Sequence, residues 1–290
     1  MTEDAQATLL SVRREEGVVF LTIACPATRN AIDLALAVAL YRAVQAVESD
    51  PGVRVVVLRS SGAHFMAGGD VHRFGALLEG EPGVAHAEFD ALLTTVHALV
   101  AALGRLPCPV LGLVRGTVAG FGWSLAMACD LLIAAADTRF MFAYGALGAT
   151  PDGGASWHLP RTLGMQRALA MALLNTAMDA PAALAAGLVT EVVAADQLDE
   201  CGMRTARQLA RGPAFAQAQT KAMLRAAFDV DLTSAMAREQ ATFAEAARTA
   251  DFAEGVRAFL ERRTPCFGDG AGGAVKPDVK GEMTRARNEF

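Results

Sequence analysis

Two stretches combine residue types that could act on a carbonyl group: His64-Phe65-Met66-Ala67-Gly68-Gly69-Asp70 and Gly116-Thr117-Val118-Ala119-Gly120-Phe121-Gly122-Trp123-Ser124-Leu125-Ala126. Each is a Gly-rich turn between an apolar, strand-like run and a helix-like run. Glycine lets the backbone bend sharply and approach a ligand, and the start of a helix leaves amide N–H groups unpaired. Two such N–H groups aimed at one point polarise a carbonyl and hold the negative charge that develops on its oxygen. Taken singly, each turn reads more readily as plain loop geometry. Taken together, they predict an oxyanion hole.

A carboxyl stands near a third turn, Ala149-Thr150-Pro151-Asp152-Gly153-Gly154. In an apolar pocket Asp152 would be a stronger base than in water. Its position before an apolar run equally suits a helix N-cap. His97 falls on an apolar helical stripe with Leu93, Val100 and Leu103, and this favours a packed or capping histidine. The five histidines (64, 72, 86, 97 and 158) form no H-E-x-x-H pair, so no metal site is expected. Cys25, Cys108, Cys129, Cys201 and Cys266 are odd in number and scattered, which suits free thiols and a cytoplasmic location.

The elements that must position these groups follow from periodicity. Residues 7–25 alternate about Glu15-Glu16-Gly17, predicting a β-hairpin. Residues 33–48 have helical spacing behind Asp33, a candidate N-cap, and 53–58 form a β-branched strand. Helix is predicted over 86–104 and 121–129, and strand over 110–114, 130–136 and 140–142. This alternation indicates an α/β layered core. Residues 73–90, with Gly80-Glu81-Pro82-Gly83, show little predictable order. Beyond about 195 only helical patterns remain: 196–211, 213–228, 231–249 and 251–262.

The chain has 290 residues, 53% of them hydrophobic, and a net charge of −5. That balance gives no electrostatic reason to expect nucleic acid or an anionic membrane as partner. Charged residues such as Asp130 and Asp137 flank the apolar runs, so no membrane span is expected. The acidic Met1-Thr2-Glu3-Asp4-Ala5 lacks the pattern of a signal peptide.

Seven motifs, in order, resemble the crotonase (enoyl-CoA hydratase/isomerase) superfamily over residues 8–267. They are Pro26-x-x-x-Asn30-Ala31, the Phe-x-Ala-Gly-x-Asp segment at 65–70, and Pro109-Val110 leading to Gly116. Next come Gly-x-Gly-x-Ser-Leu-Ala-x-Ala-Cys-Asp at 120–130 and Pro-Asp-x-Gly-x-Ser-x-x-Leu-Pro-Arg at 151–161. Ala185-Ala186-Gly187-Leu188-Val189 and Glu254-Gly255-x-x-Ala258-Phe259-Leu260 complete the set.

The resemblance implies an α/β crotonase spiral of ββα repeats with the acyl-CoA site over 1–195. It also implies a C-terminal helical region over 196–267 for trimerisation and closure of the CoA site. A tail over 268–290 is expected to be mobile. The ligand implied is an acyl-CoA thioester, with coenzyme A part of the substrate and no separate cofactor. The assembly implied is a homotrimer or a dimer of trimers.

By the family pattern the oxyanion donors are the N–H groups of Gly69 and Phe121. Phe121 stands where glycine is commoner, and its ring is expected to narrow the acyl pocket. The two glutamates of the hydratases fall on Ser124 and Tyr144, so two-glutamate hydration is disfavoured. Isomerase branches, including those resembling epoxyphenylacetyl-CoA isomerase, place a single acid at Asp152. One carboxylate suits removal of a proton from one carbon and its return to another.

The 4-chlorobenzoyl-CoA dehalogenase branch has a catalytic histidine at His97 and a tryptophan at Tyr144. Arg29 and Arg262 become candidates for CoA phosphates. Ala31, Ala67, Gly68, Asp70, Val71 and Gly120 are candidates along the CoA path. Trp123 and Phe142, with Met141 and Trp157, are candidates for the acyl pocket, where core packing is the alternative. Phe252 and Phe259 would pack or close the CoA site. The leading expectation is an enoyl-CoA isomerase. A weak hydratase, an aryl-CoA dehalogenase or hydrolase, and a non-catalytic acyl-CoA-binding protein are the alternatives.

Overall fold

The computed structural model describes residues 9–268. Strands β1 (Leu10–Glu15) and β2 (Val18–Ile23) form the hairpin, turning at Glu16-Gly17, both with positive φ. Strand β2 then pairs in parallel with β3 (Val55–Ser60), β3 with β4 (Val110–Val114), β4 with β6 (Leu131–Ala135), and β6 with β9 (Glu191–Val193). A second sheet holds the short strands β5 (Thr117–Ala119), β7 (Arg139–Met141) and β8 (Ala177–Asp179).

The helices are α1 (Leu34–Glu48), α2 (Val71–Leu78), α3 (Pro82–Arg105), α4 (Phe121–Ala128), α5 (Ala155–Leu163), α6 (Met165–Leu174) and α7 (Ala180–Ala185). Four more follow: α8 (Leu198–Ala210), α9 (Ala214–Ala226), α10 (Leu232–Ala246) and α11 (Ala250–Leu260). A long strand, a short strand or bridge, and a helix recur, most clearly in β4-β5-α4. This is the ββα spiral.

Parallel strands need crossovers that cover the sheet faces, so their sequences read as near-continuous apolar runs. One face of the large sheet, with Leu21, Val56, Leu58 and Val110, packs on Leu36, Leu40 and Val44 of α1 and on Val96 and Leu99 of α3. The other face, with Phe20, Val57, Leu113 and Ile133, packs on Leu198, Cys201 and Ala206 of α8. A Cβ at Gly202 would lie 2.4 Å from Leu113 Cδ1, so α8 lies close against the sheet. This helix therefore belongs to the spiral's packing, although it follows the last strand.

Helix α9 docks by charge. Asp130 Oδ2 lies 2.7 Å from Lys221 Nζ, and Asp130 Oδ1 accepts from Arg225 Nη2 at 2.7 Å. Lys221 also donates to the carbonyls of Leu103 and Cys108, and the Val110 N–H donates to Asp130 Oδ2. Helices α10 and α11 bury little within one chain and expose Leu232, Phe243, Phe259 and Leu260.

One expectation needs correction. Residues 73–90 are ordered: Asp70 caps α2, and α3 starts at Pro82, four residues before the predicted helix. Helix α3 also contains the one stretch among the described residues, Gly83–Arg105, long and apolar enough to cross a bilayer by length and composition. Its Leu92, Val96, Leu99 and Leu103 are buried in the core, as a packed interior helix requires. Between 155 and 193 the structure has α5, α6, α7, β8 and β9, elements too short for a period to show in the sequence. Of the expected mobile tail, 269–290 lie outside the described residues.

Candidate active site

The two Gly-rich turns are stitched together by the backbone. Met66 N donates to Thr117 O, Ala119 N to Met66 O, and Phe65 N to Arg115 O. At Gly68 (φ +100°) a Cβ would meet Ala119 O at 3.2 Å, and at Gly122 a Cβ would meet Met66 O at 2.7 Å. Only glycine lets these backbones approach so closely. Parallel bridging of Ile32 with Gly69 takes the neighbouring N–H groups: Ile32 N donates to Gly68 O, and Asp70 N to Ile32 O. The Gly69 N–H is left without an acceptor among the described residues, as is that of Phe121, the first residue of α4. Two unpaired donors on touching turns are what an oxyanion needs.

Asn30 holds this arrangement from behind. It is fully buried, its amide donates to the carbonyls of Ser61 and His64, and its Oδ1 accepts from Cys25 N. The preceding Arg29, also left-handed at φ 54°, accepts from Ala67 N through its carbonyl. The structure thus sets the segments 29–32 and 67–71 side by side, with Arg29, Ala31, Ala67, Gly68, Asp70 and Val71 on them. Asp70 itself accepts from Arg73 N at 3.0 Å, the local role read from the sequence.

Asp152 is not an N-cap. Helix α5 starts behind Gly154 with no side-chain cap, and only the Asp152 carbonyl accepts from Ala155 N. The Asp152 carboxyl instead turns to Tyr144, whose hydroxyl donates to Oδ1 at 2.5 Å. Ser124 Oγ lies 2.9 Å from Tyr144 OH and donates to the Asp152 carbonyl at 2.9 Å. The two positions that lack glutamate are therefore joined to the single acid.

Left-handed Ala143 starts the 3-10 turn Tyr144–Leu147. Left-handed Gly153 lies so close that a Cβ would be 2.7 Å from Ser124 Cβ and 2.8 Å from the Phe121 ring. Sequence spacing gives no sign of these contacts.

Burial pushes the Asp152 carboxyl up, while the Tyr144 hydrogen bond and the His97 charge pull it down. Tyr144 is itself raised above the ordinary phenol range, by burial first and by the Asp152 charge next. His97 is exposed, which overturns the packed reading. It lies one turn before Val100, whose Cγ1 would be 3.9 Å from a Cβ at Gly154.

Several candidates sit elsewhere. Trp123 is 1% exposed and packs edge-on to Phe140 at 5.5 Å, so it is core and not a pocket wall. Phe121 is equally buried, its ring lodged under Gly153, so its side chain does not narrow an open pocket. Phe142 is buried edge-on to Tyr144 at 5.0 Å and supports that ring. The Gly120 N–H donates to Met141 O, a backbone role that leads into α4. Phe259 is 84% exposed beside a cavity lined by Phe215, Phe252, Val256 and Phe267, apart from the oxyanion turns of its own chain. Arg262 follows on the same segment at φ 54°.

Comparison with known proteins agrees with this geometry. The family model described as "Enoyl-CoA hydratase/isomerase" matches residues 13–270. The chain is 35% identical over 252 residues to a probable enoyl-CoA hydratase of Rhodobacter capsulatus, covering 87% of this chain and 95% of the relative. It is 33% identical over 256 residues to 1,2-epoxyphenylacetyl-CoA isomerase of Escherichia coli, covering the same shares, 87% and 95%. The crystal structure of an enoyl-CoA hydratase from Polaromonas sp. JS666 superposes with a TM-score of 0.83 at 31% identity, over 89% of this chain and 99% of that one. With touching turns that leave two donors unpaired, a ββα spiral and a match along nearly its whole described length, this chain belongs to the enoyl-CoA hydratase/isomerase family of the crotonase superfamily.

Proposed function

We propose that the protein isomerises the double bond of an enoyl-CoA. The observation that carries this reading is the single carboxyl at the site, Asp152, held at Oδ1 by Tyr144 where hydratases would supply glutamates. The thioester oxygen accepts from the Gly69 and Phe121 N–H groups. Asp152 then removes a proton from one carbon, the dienolate is held by the two donors, and the proton returns to another carbon. The name of the Escherichia coli relative, an acyl-CoA isomerase, supports this choice. The segments bearing Arg29, Ala67 and Asp70 are proposed to carry coenzyme A. Phe259 and Arg262 reach such a site only from a neighbouring subunit or by a movement of α11, in a trimer or a dimer of trimers.

The test is conversion of 3-enoyl-CoA to 2-enoyl-CoA in deuterated water, followed by mass-resolved chromatography. Deuterium at the α or γ carbon, with conversion lost in Asp152→Asn, is the expected result. Binding of the ester without conversion by the wild type would rule the reading out for simple enoyl chains. The exposed His97 beside the acid favours hydration as the second reading, because it gives a base in contact with water. A hydrated product in the same chromatogram would identify it.

A further inference from the structure

The three contacts among Ser124, Tyr144 and Asp152 pose a question of proton number. Ser124 Oγ meets the Asp152 carbonyl at 2.9 Å, Ser124 Oγ meets Tyr144 OH at 2.9 Å, and Tyr144 OH meets Asp152 Oδ1 at 2.5 Å. A carbonyl only accepts, so the Ser124 proton is committed to the backbone. With Asp152 ionised, the Tyr144 proton is committed to Oδ1. Two hydroxyl protons then serve two contacts, and the Ser124–Tyr144 contact has none.

A proton on Oδ1 changes the direction of the chain. Oδ1–H donates to Tyr144, Tyr144 donates to Ser124, and Ser124 donates to the carbonyl, so all three contacts are filled. Ser124 is fully buried and Tyr144 nearly so, so a hydroxyl contact without a proton between them is costly in the ionised state.

We propose that Ser124 and Tyr144 are positioning residues forming a hydroxyl relay that reverses with the protonation of Asp152. Tyr144 holds the ionised, proton-accepting carboxylate by donating to it, and Ser124 holds the resting acid by accepting the hydrogen bond that Tyr144 then directs away from Oδ1. In the ionised state the bond to Oδ1 leaves Oδ2 to collect the substrate proton, and the chain reverses when the carboxyl rotates to turn that O–H toward Tyr144, so this proposal deepens the isomerase reading and rests on it. The groups facing Asp152 are few. His97 comes from α3, Tyr144 from the turn after β7, and Ser124 from α4. Beyond Gly154, His158 on α5 is lowered to about 4 by burial and so is neutral near pH 7.

The relay predicts opposite effects from its two members. Tyr144→Phe removes a charge-assisted bond to the carboxylate and moves the Asp152 midpoint up by roughly one pH unit. Ser124→Ala strands the Tyr144 proton only in the acid state and moves the midpoint down by roughly half a unit. Both variants keep the Cβ and, at 144, the ring that packs the site.

The midpoint is read without turnover from the infrared carbonyl stretch of the buried neutral carboxyl, assigned by its loss in Asp152→Asn. The acid limb of the isomerase pH profile gives a second reading. Opposite shifts support the relay. Shifts in the same direction, or no shift in either variant, overturn it. Opposite infrared shifts without any isomerisation would keep the relay and reject the isomerase reading. Isomerisation with an unmoved infrared midpoint would do the reverse.

Discussion

Asp152 sits in the fold at an energetic disadvantage, which the proposed proton transfer would use. Burial raises its carboxyl, so the folded state favours the neutral form and is penalised when the group ionises. Below the unfolded carboxyl's range both states are protonated and the penalty is absent. It grows as pH rises and is complete above the raised folded value. Asp152→Asn keeps an acceptor for Tyr144 and removes the charge, so it raises Tm near pH 7. That gain disappears in acid, and calorimetry at the two pH values checks it. A catalytic carboxylate traded for stability is a common exchange at active sites.

At this scale the sequence showed the candidates but not their partners. Ser124 and Tyr144 read as missing glutamates, and their bonds depend on left-handed backbone at Ala143 and Gly153 that residue types alone do not specify. His97 is exposed because the buried face of α3 runs through Leu92, Val96, Leu99 and Leu103, which turns Leu93 and His97 about 100° away from it.

Among the elements, the strands buried on both faces and the long helices were legible, because continuous apolar runs and helical spacing are strong signals. Strands of three residues, such as β5, β8 and β9, carry too few positions for a period. The docking of α9 was not legible either. Asp130 was read as part of a motif and as an interruption of an apolar run, and nothing in the spacing pointed to Lys221 and Arg225 some ninety residues on.

With its side chain only 16% exposed between two cations, Asp130 is an ion-pair centre whose loss leaves Lys221 and Arg225 facing each other. Asp130→Asn is expected to cost about 3 kcal/mol. Amide exchange over 214–226 should rise more than over β4 or β6, which separates undocking of α9 from general loosening.

At the scale of the whole molecule, much of the exposed apolar surface lies toward the C-terminal end of the described residues. Leu224, Phe228, Leu232, Phe243, Phe259 and Leu260 are each more than 60% exposed on one chain, more large apolar surface than a monomer normally leaves in water. A trimer, or two trimers, is the assembly expected in sedimentation equilibrium. Phe243→Glu combined with Leu232→Glu should lower the mass toward one chain while the near-ultraviolet dichroism of the buried Trp123 persists. A single-chain mass for the unaltered protein would remove the subunit contact as the route by which Phe259 and Arg262 reach the acyl-CoA site.

The clamp on Asp130 also orders events during synthesis. Strands β4 and β6 emerge from the ribosome with their carboxylate already set between them, some ninety residues before its two cations. Until Lys221 and Arg225 follow, that carboxylate has no cation beside it and faces the place α9 will fill. A chain stalled before residue 221 would therefore present an opened, uncompensated seam to the proteases and chaperones that survey new proteins.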